Sequence, residues 1–107
     1  MKWYRVAHAD ECPPGKMLRV EIAGKRILIA HVEGVFYALD DTCTHEDASL
    51  YTGCLKGKSV KCPLHGSYFS LATGQPSEEP AEEPLQTYAI KQEGEALWIE
   101  SMPENAS

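Results

Sequence analysis

The chain lacks any apolar run of about 18 residues, the length that a membrane-spanning helix needs. It also lacks an excess of positive charge, because 10 basic residues against 16 acidic ones give a formal net charge of -6. That balance argues against binding to nucleic acid or to an anionic membrane surface, and it favours a basic protein partner. The first five residues lead into strand-like sequence and not into the apolar core of a signal peptide, so we expect a cytoplasmic protein.

The chain is short and contains few cysteines. Its 107 residues predict a single domain, 1–107, with a modest core and no room for a second, substrate-binding domain. Of the four cysteines, Cys12 and Cys54 belong to no recognisable ligand spacing, so both are expected to be free thiols, with a Cys12–Cys54 disulfide as the alternative. Each of the other two is followed closely by a histidine.

These two cysteines and their histidines form a pair of similar motifs. One residue separates Cys43 from His45, two separate Cys62 from His65, and 16 residues lie between the motifs. Four such ligands indicate a metal site. Zinc accepts two cysteines and two histidines, but its usual spacing places both cysteines on one knuckle and both histidines on a helix. A two-iron, two-sulfide cluster accounts for the mixed motifs, because one iron can take both thiolates and the other both imidazoles.

The motif pair resembles the cluster-binding boxes of Rieske proteins; the residues are Cys43-Thr44-His45 and Cys62-Pro63-Leu64-His65-Gly66-Ser67. The resemblance implies one Rieske [2Fe-2S] cluster per chain. Cys43 and Cys62 would hold the inner iron. His45 and His65 would hold the outer iron, with their free N–H groups facing solvent or a partner protein.

Neighbouring positions separate the branches of this family. Gly66 would let backbone N–H groups approach the inorganic sulfur, and Ser67 matches a serine whose hydroxyl bonds a bridging sulfide. Respiratory Rieske proteins carry a disulfide and a tyrosine near the cluster, whereas the matching positions here hold Ala48, Leu64 and Phe69. The resemblance therefore points to the lower-potential, soluble Rieske ferredoxins of aromatic-ring dioxygenase systems. Their potentials lie near the bottom of the Rieske range, roughly -150 mV.

The resemblance implies an electron carrier and not an enzyme. The chain would take one electron from a flavoprotein reductase and deliver it to the terminal oxygenase, through the single edge that bears His45 and His65. A monomeric shuttle is expected, since the two partners could not share that edge. The alternatives are a small subunit of an arsenite-oxidase-like or nitrite-reductase-like complex and, in another class, a zinc-binding structural module.

Periodicity predicts an all-β, antiparallel fold, similar to a sandwich or barrel. The expected strands are 3–7, 17–23, 26–32, 35–39, 59–61, 85–91 and 96–100. Residues 1–40 and 74–100 would form the base, residues of about 41–73 a small cluster-binding subdomain, and 101–107 a frayed tail.

Two further sets of residues have a possible role at the surface. Segment 75–84 is rich in proline and glutamate and, with Glu46 and Asp47, would steer basic partners towards the cluster edge. A solvated linker is the alternative for this segment. His8 and His31 lack a second ligand group nearby in sequence, so we expect them to be structural or surface histidines.

Overall fold

The fold consists of short antiparallel strands. A computed structural model describes residues 3–22, 24–42, 49–63, 68–76 and 84–100. Within these ranges the strands are β1 (Trp3–His8), β2 (Met17–Ile22), β3 (Lys25–Val32), β4 (Val35–Asp40), β5 (Cys54–Lys56), β6 (Ser59–Lys61), β7 (Tyr68–Ser70), β8 (Thr87–Tyr88), β9 (Ile90–Glu93) and β10 (Ala96–Glu100). One-turn 3-10 helices lie at Ala9–Glu11 and Leu50–Thr52. The described part of the chain has no helix with the length and apolarity needed to cross a lipid bilayer.

The strands form three sheets, with the orders β1-β10-β9, β2-β3-β4-β8 and β5-β6-β7. The first two sheets form the base and the third carries Cys62. The predicted meander is confirmed: β2 and β3 pair across a turn at Gly24, and β3 and β4 pair across Glu33 and Gly34, which both have positive φ. The sheets are not closed into a barrel, so the sandwich form of the predicted fold is the correct one.

The middle sheet is covered on both faces, which explains the continuous apolar run in β3. Leu28 and Ala30 pack in a core cluster with β6 and β7. Ile27 and Ile29, which point the other way, pack in a second cluster with Leu97 and other residues of β1 and β10. The cluster-binding sheet and the outer base sheet therefore lie on opposite faces of the middle sheet.

The strand predicted over 85–91 is two strands. β8 pairs with β4 in the middle sheet, whereas β9 pairs with β10 in the outer sheet. The chain changes sheets at Ala89, and an alternating pattern does not reveal such a crossing because both pieces bury alternate residues. β5 and β7 are absent from the expected strands, because three-residue strands leave too little alternation to recognise.

Tyr88 holds the crossing in place. Its hydroxyl donates to Asp40 Oδ1 at 2.6 Å, and burial, with the nearby Asp40 carboxylate, raises the pKa of the phenol. A raised pKa stabilises the fold below the unfolded-state value of about 10, and this stabilisation is lost as pH rises above it.

We expect Tyr88→Phe to lower the free energy of unfolding by about 1 kcal/mol at neutral pH. In urea titrations from pH 7 to 11 the variant should lose stability less steeply above pH 10 than the wild type; parallel curves would contradict this assignment.

The two cysteines outside the motifs are free, as predicted. Cys12 is fully buried, and desolvation raises the pKa of its thiol to about 11, whereas Cys54 is exposed on β5. At pH 8 Cys12 is therefore protonated as well as inaccessible, and the thiolate is the reactive form. We expect iodoacetamide at pH 8 to alkylate Cys54 and to spare Cys12, as read by mass spectrometry of the native holoprotein. Equal labelling of both would contradict the burial of Cys12, and Cys54→Ser provides the blank.

Candidate metal centre

Cys62 is the one predicted ligand that lies in the described part of the chain. Cys43, His45, His65, Gly66 and Ser67 fall outside it, as do Ala48 and Leu64; these residues are named here without a structural account. Cys62 follows β6 directly and is fully buried.

Strand parity explains why Cys62 is buried. Residues paired across an antiparallel sheet lie on the same face. Leu55, Val60 and Phe69 are paired across β5, β6 and β7, and Val60 and Phe69 are fully buried against the middle sheet. Lys61, one residue further, belongs to the outer face. Cys62 therefore turns inward again, into the same core cluster as Val60 and Phe69.

The Cys62 thiol differs from the other buried thiol. Cys12 Sγ lies 3.4 Å from the carbonyl oxygen of Lys16 and 3.8 Å from that of Ile29, both within reach of its S–H group. Among the residues that the structure describes, no acceptor lies within hydrogen-bond reach of Cys62 Sγ. A buried thiol beside a motif segment, with no hydrogen-bond acceptor among the described residues, fits the predicted metal ligand.

The two motif segments are closed at their bases by strand pairing. Lys61 pairs with Tyr68 on either side of segment 62–67, and Thr42 pairs with Ser49 on either side of segment 43–48. Leu50, which follows the first segment, packs in the same core cluster as Cys62. The fold therefore brings together the bases of both segments that carry the predicted ligands.

A buried polar network supports the first segment. Asp41 is fully buried and is the one buried charged side chain among the described residues. Its Oδ2 accepts a hydrogen bond from Ser49 Oγ at 2.5 Å, and its Oδ1 accepts one from the Tyr51 amide at 2.9 Å. Arg19 Nη1 lies 3.8 Å from Oδ2 and donates to Ser49 Oγ at 3.0 Å. The side chain of Asp41, just before the first segment, therefore binds Ser49 and Tyr51, just after it.

Asp41 is not among the site residues predicted from the sequence. An aspartate is far more often exposed than buried, and its partners Ser49 and Arg19 are distant in sequence. The only available signal was its position immediately before the first motif.

Gly53 is the point of close approach between the chain that follows the first segment and the chain beside Cys62. A Cβ atom built on Gly53 would overlap the carbonyl oxygen of Lys61 and lie 3.2 Å from Pro63 Cδ. The backbone at Gly53 has φ -85°, so glycine is required here by the close approach and not by a left-handed conformation. The chain after the first segment therefore packs directly against the residues on either side of Cys62.

The base of the acidic segment is also fixed. The Leu85 amide donates to the Gly74 carbonyl oxygen at 2.8 Å, and Phe69 forms a bridge with Pro76. This places the two ends of segment 75–84 beside β7. The four glutamates of the segment, like Glu46 and Asp47, lie outside the described residues, so their proposed docking role stays a prediction.

The two remaining histidines have structural contacts, as expected. His31 stacks on Phe36 at 4.0 Å between ring centroids, and its Nδ1 lies 2.8 Å from the Cys12 carbonyl oxygen. His8 Nδ1 accepts from the Asp10 amide at 3.3 Å and caps the first 3-10 helix, and its Nε2 lies 3.0 Å from Glu95 Oε1. No local pattern predicts that Glu95 lies beside His8, because 86 residues separate them in the chain.

Known proteins resemble this chain over most of its length. The profile of the Rieske [2Fe-2S] domain matches residues 2–89. The chain belongs to the Rieske [2Fe-2S] family. The ferredoxin component of a naphthalene 1,2-dioxygenase system from Pseudomonas aeruginosa is 36% identical over 92% of this chain and 95% of that protein. The ferredoxin component of biphenyl 2,3-dioxygenase from Rhodococcus jostii is 36% identical over 90% of each chain.

A solved structure supports the same assignment. A chain of the complex of reduced oxygenase and oxidised ferredoxin in carbazole 1,9a-dioxygenase is 35% identical, with a TM-score of 0.85 and 91% of each chain covered. Rieske family membership assigns one [2Fe-2S] cluster to the chain, and its relatives are electron-carrying ferredoxins and not catalytic oxygenases. The expected [2Fe-2S] cofactor is therefore confirmed, whereas the four ligand residues stay a prediction.

Proposed function

We propose that Cys43, Cys62, His45 and His65 hold the cluster and that the chain carries single electrons from a flavoprotein reductase to the terminal oxygenase of an aromatic-ring dioxygenase system. The observation that carries the assignment is the buried Cys62 thiol, which has no hydrogen-bond acceptor in the described part of the chain and lies in a core beside the bases of both motif segments. The relatives named above are components of such systems, and they match this chain over nearly their full length. When bound, the cluster supplies a site that gains and loses one electron.

The residues that flank the motif segments support electron transfer by fixing the base of each segment. Lys61 pairs with Tyr68, and Thr42 pairs with Ser49, so the residues that flank each motif segment are held together. Leu50, Val60 and Phe69 are fully buried and exclude water from the Cys62 side of the site. Phe69 has no hydroxyl to donate to a cluster ligand, which fits the low end of the Rieske potential range.

Reconstitution with purified partners tests this function. The reduced chain is mixed without oxygen with the oxidised terminal oxygenase of a naphthalene dioxygenase system, and in a second experiment the oxidised chain is mixed with the reduced reductase of that system. We expect stopped-flow absorbance to show electron transfer in both of these oxygen-free experiments. When oxygen and the aromatic substrate are then added to the reduced reductase and the oxygenase, we expect product only when the chain is present. A chain that exchanges electrons with neither protein, and that purifies bound to another oxidoreductase, would show instead a permanent subunit.

A further inference from the structure

Charge is segregated along this sequence in a way that the net value hides. Residues 48–77 contain three lysines and no aspartate or glutamate, and all 16 acidic residues lie outside that stretch. The stretch spans β5, β6 and β7, the sheet that leads into Cys62. The sheet therefore has the opposite sign from the chain as a whole, whose formal net charge is -6.

Strand register gathers two of these lysines on one face. Lys61 pairs with Tyr68, and Lys56 pairs with Ser59 on the same outer side of the sheet. The Nζ atoms of Lys56 and Lys61 lie 5.8 and 5.9 Å from the centroid of the Tyr68 ring. The ring quadrupole attracts both ammonium groups and restricts their freedom. We call Lys56, Lys61 and Tyr68 the lysine face.

The two charges of the lysine face are not neutralised locally. Neither Lys56 nor Lys61 has an ion-pair partner within the described ranges, whereas Lys58, at the edge of the face, lies 4.0 Å from Glu33. Two ammonium groups held near one ring repel each other. An incoming anionic group would relieve that repulsion without first displacing a carboxylate, and part of the ordering cost is already met by the ring.

We propose that the lysine face is a docking surface for a redox partner that presents carboxylates. This inference rests on the proposed electron-carrier function and adds to it a surface of the opposite sign from the acidic one predicted from the sequence. Lys61 is the residue immediately before Cys62, so a partner seated on this face lies beside the second motif. Two surfaces of opposite charge would let the carrier distinguish an acidic partner from a basic one.

The rates at which small charged oxidants react with the protein report the local electrostatic potential near the cluster, without any partner protein. The reduced holoprotein is oxidised by the anion cobalt–EDTA and, separately, by the cation tris(phenanthroline)cobalt, at several salt concentrations. A local positive face makes the anionic reaction slow down as salt rises, despite the negative net charge. An anionic rate that rises with salt would overturn the proposal, because it would show that the whole-chain charge governs approach to the cluster.

A matched pair of variants assigns the effect. Lys56→Gln/Lys61→Gln and Arg5→Gln/Lys16→Gln each remove two positive charges, but Arg5 is on β1 and Lys16 lies just before β2. We expect the first to slow the anionic oxidant at low salt roughly threefold to tenfold, and the second by less than about twofold. Equal effects of the two pairs would contradict the proposal.

Two readouts do not depend on the rate of electron transfer. Hexacyanochromate, a paramagnetic anion, should broaden the NMR amide signals of Lys56 and Ser59 in the wild type and not in the Lys56→Gln/Lys61→Gln variant. In complexes with the naphthalene-system reductase and oxygenase, Lys56 and Lys61 should be protected from acetylation by one of the two proteins. If both proteins exchange electrons with the chain but neither protects these lysines, the docking proposal fails while the proposed function stands. If neither protein exchanges electrons, the proposed function fails, and the charged oxidants and hexacyanochromate still decide whether the face binds anions.

Discussion

A Gly53→Ala variant is expected to lose most of its iron. The added Cβ would overlap the Lys61 carbonyl oxygen, and backbone cannot move aside as a flexible side chain can. The chain on either side of Cys62 would have to shift, at a cost of about 3 kcal/mol, and the buried ligand would shift with it. Iron and sulfide per chain, with the visible absorption of the purified protein, measure the loss.

Gly57→Ala is the matched control. Gly57 lies in the turn between β5 and β6 with φ +58° and nothing within 4 Å of a built Cβ. Its substitution costs about 1 kcal/mol through the left-handed conformation alone, with no displacement of Cys62. Full iron content in Gly53→Ala, or equal losses in the two variants, would contradict the proposal that the close approach of Gly53 to Lys61 and Pro63 positions Cys62.

Asp41→Ala is expected to destabilise the protein by about 3 kcal/mol, because it leaves the Ser49 hydroxyl and the Tyr51 amide without their buried acceptor. The substitution also removes the hydrogen bonds that connect the two ends of the segment that carries Cys43 and His45. Thermal unfolding followed by far-ultraviolet circular dichroism gives the stability change. The rate at which an iron chelator bleaches the visible absorption of the folded protein gives the effect on the site.

Two further substitutions separate the charge of Asp41 from its hydrogen bonds. Asp41→Asn keeps an acceptor for the Tyr51 amide, so its loss should be smaller than that of Asp41→Ala. Asp10→Ala removes an exposed carboxylate from the base and should leave chelation unchanged. Chelation of Asp41→Ala at the wild-type rate would show that the network stabilises the base without supporting the site.

Local patterns were sufficient to predict the meander of the middle sheet. The β2–β3–β4 meander followed from apolar strand segments separated by glycine turns, since a hairpin is encoded by neighbours in sequence. The Rieske assignment followed from the order and spacing of four ligand residues, which is a property of the sequence itself.

The remaining features depend on contacts between distant residues. The burial of Asp41 requires Arg19 and Ser49 to converge on it from other elements. Gly53 reads as an ordinary turn glycine until the Lys61 carbonyl is placed beside it. Net charge and the acidic segment predicted a basic partner, whereas the lysine face emerges only from the register of three short strands. Such information is absent from any local window of the sequence.

Pulsed EPR of the reduced protein, with iron and sulfide counted on the same sample, tests the central claim most directly. Ligation by His45 and His65 places two imidazole nitrogens directly on one iron of a single [2Fe-2S] cluster. We expect two irons and two sulfides per chain and two strong nitrogen couplings. A two-iron signal without directly bound nitrogen, or a colourless protein with stoichiometric zinc, would contradict the proposed ligand set.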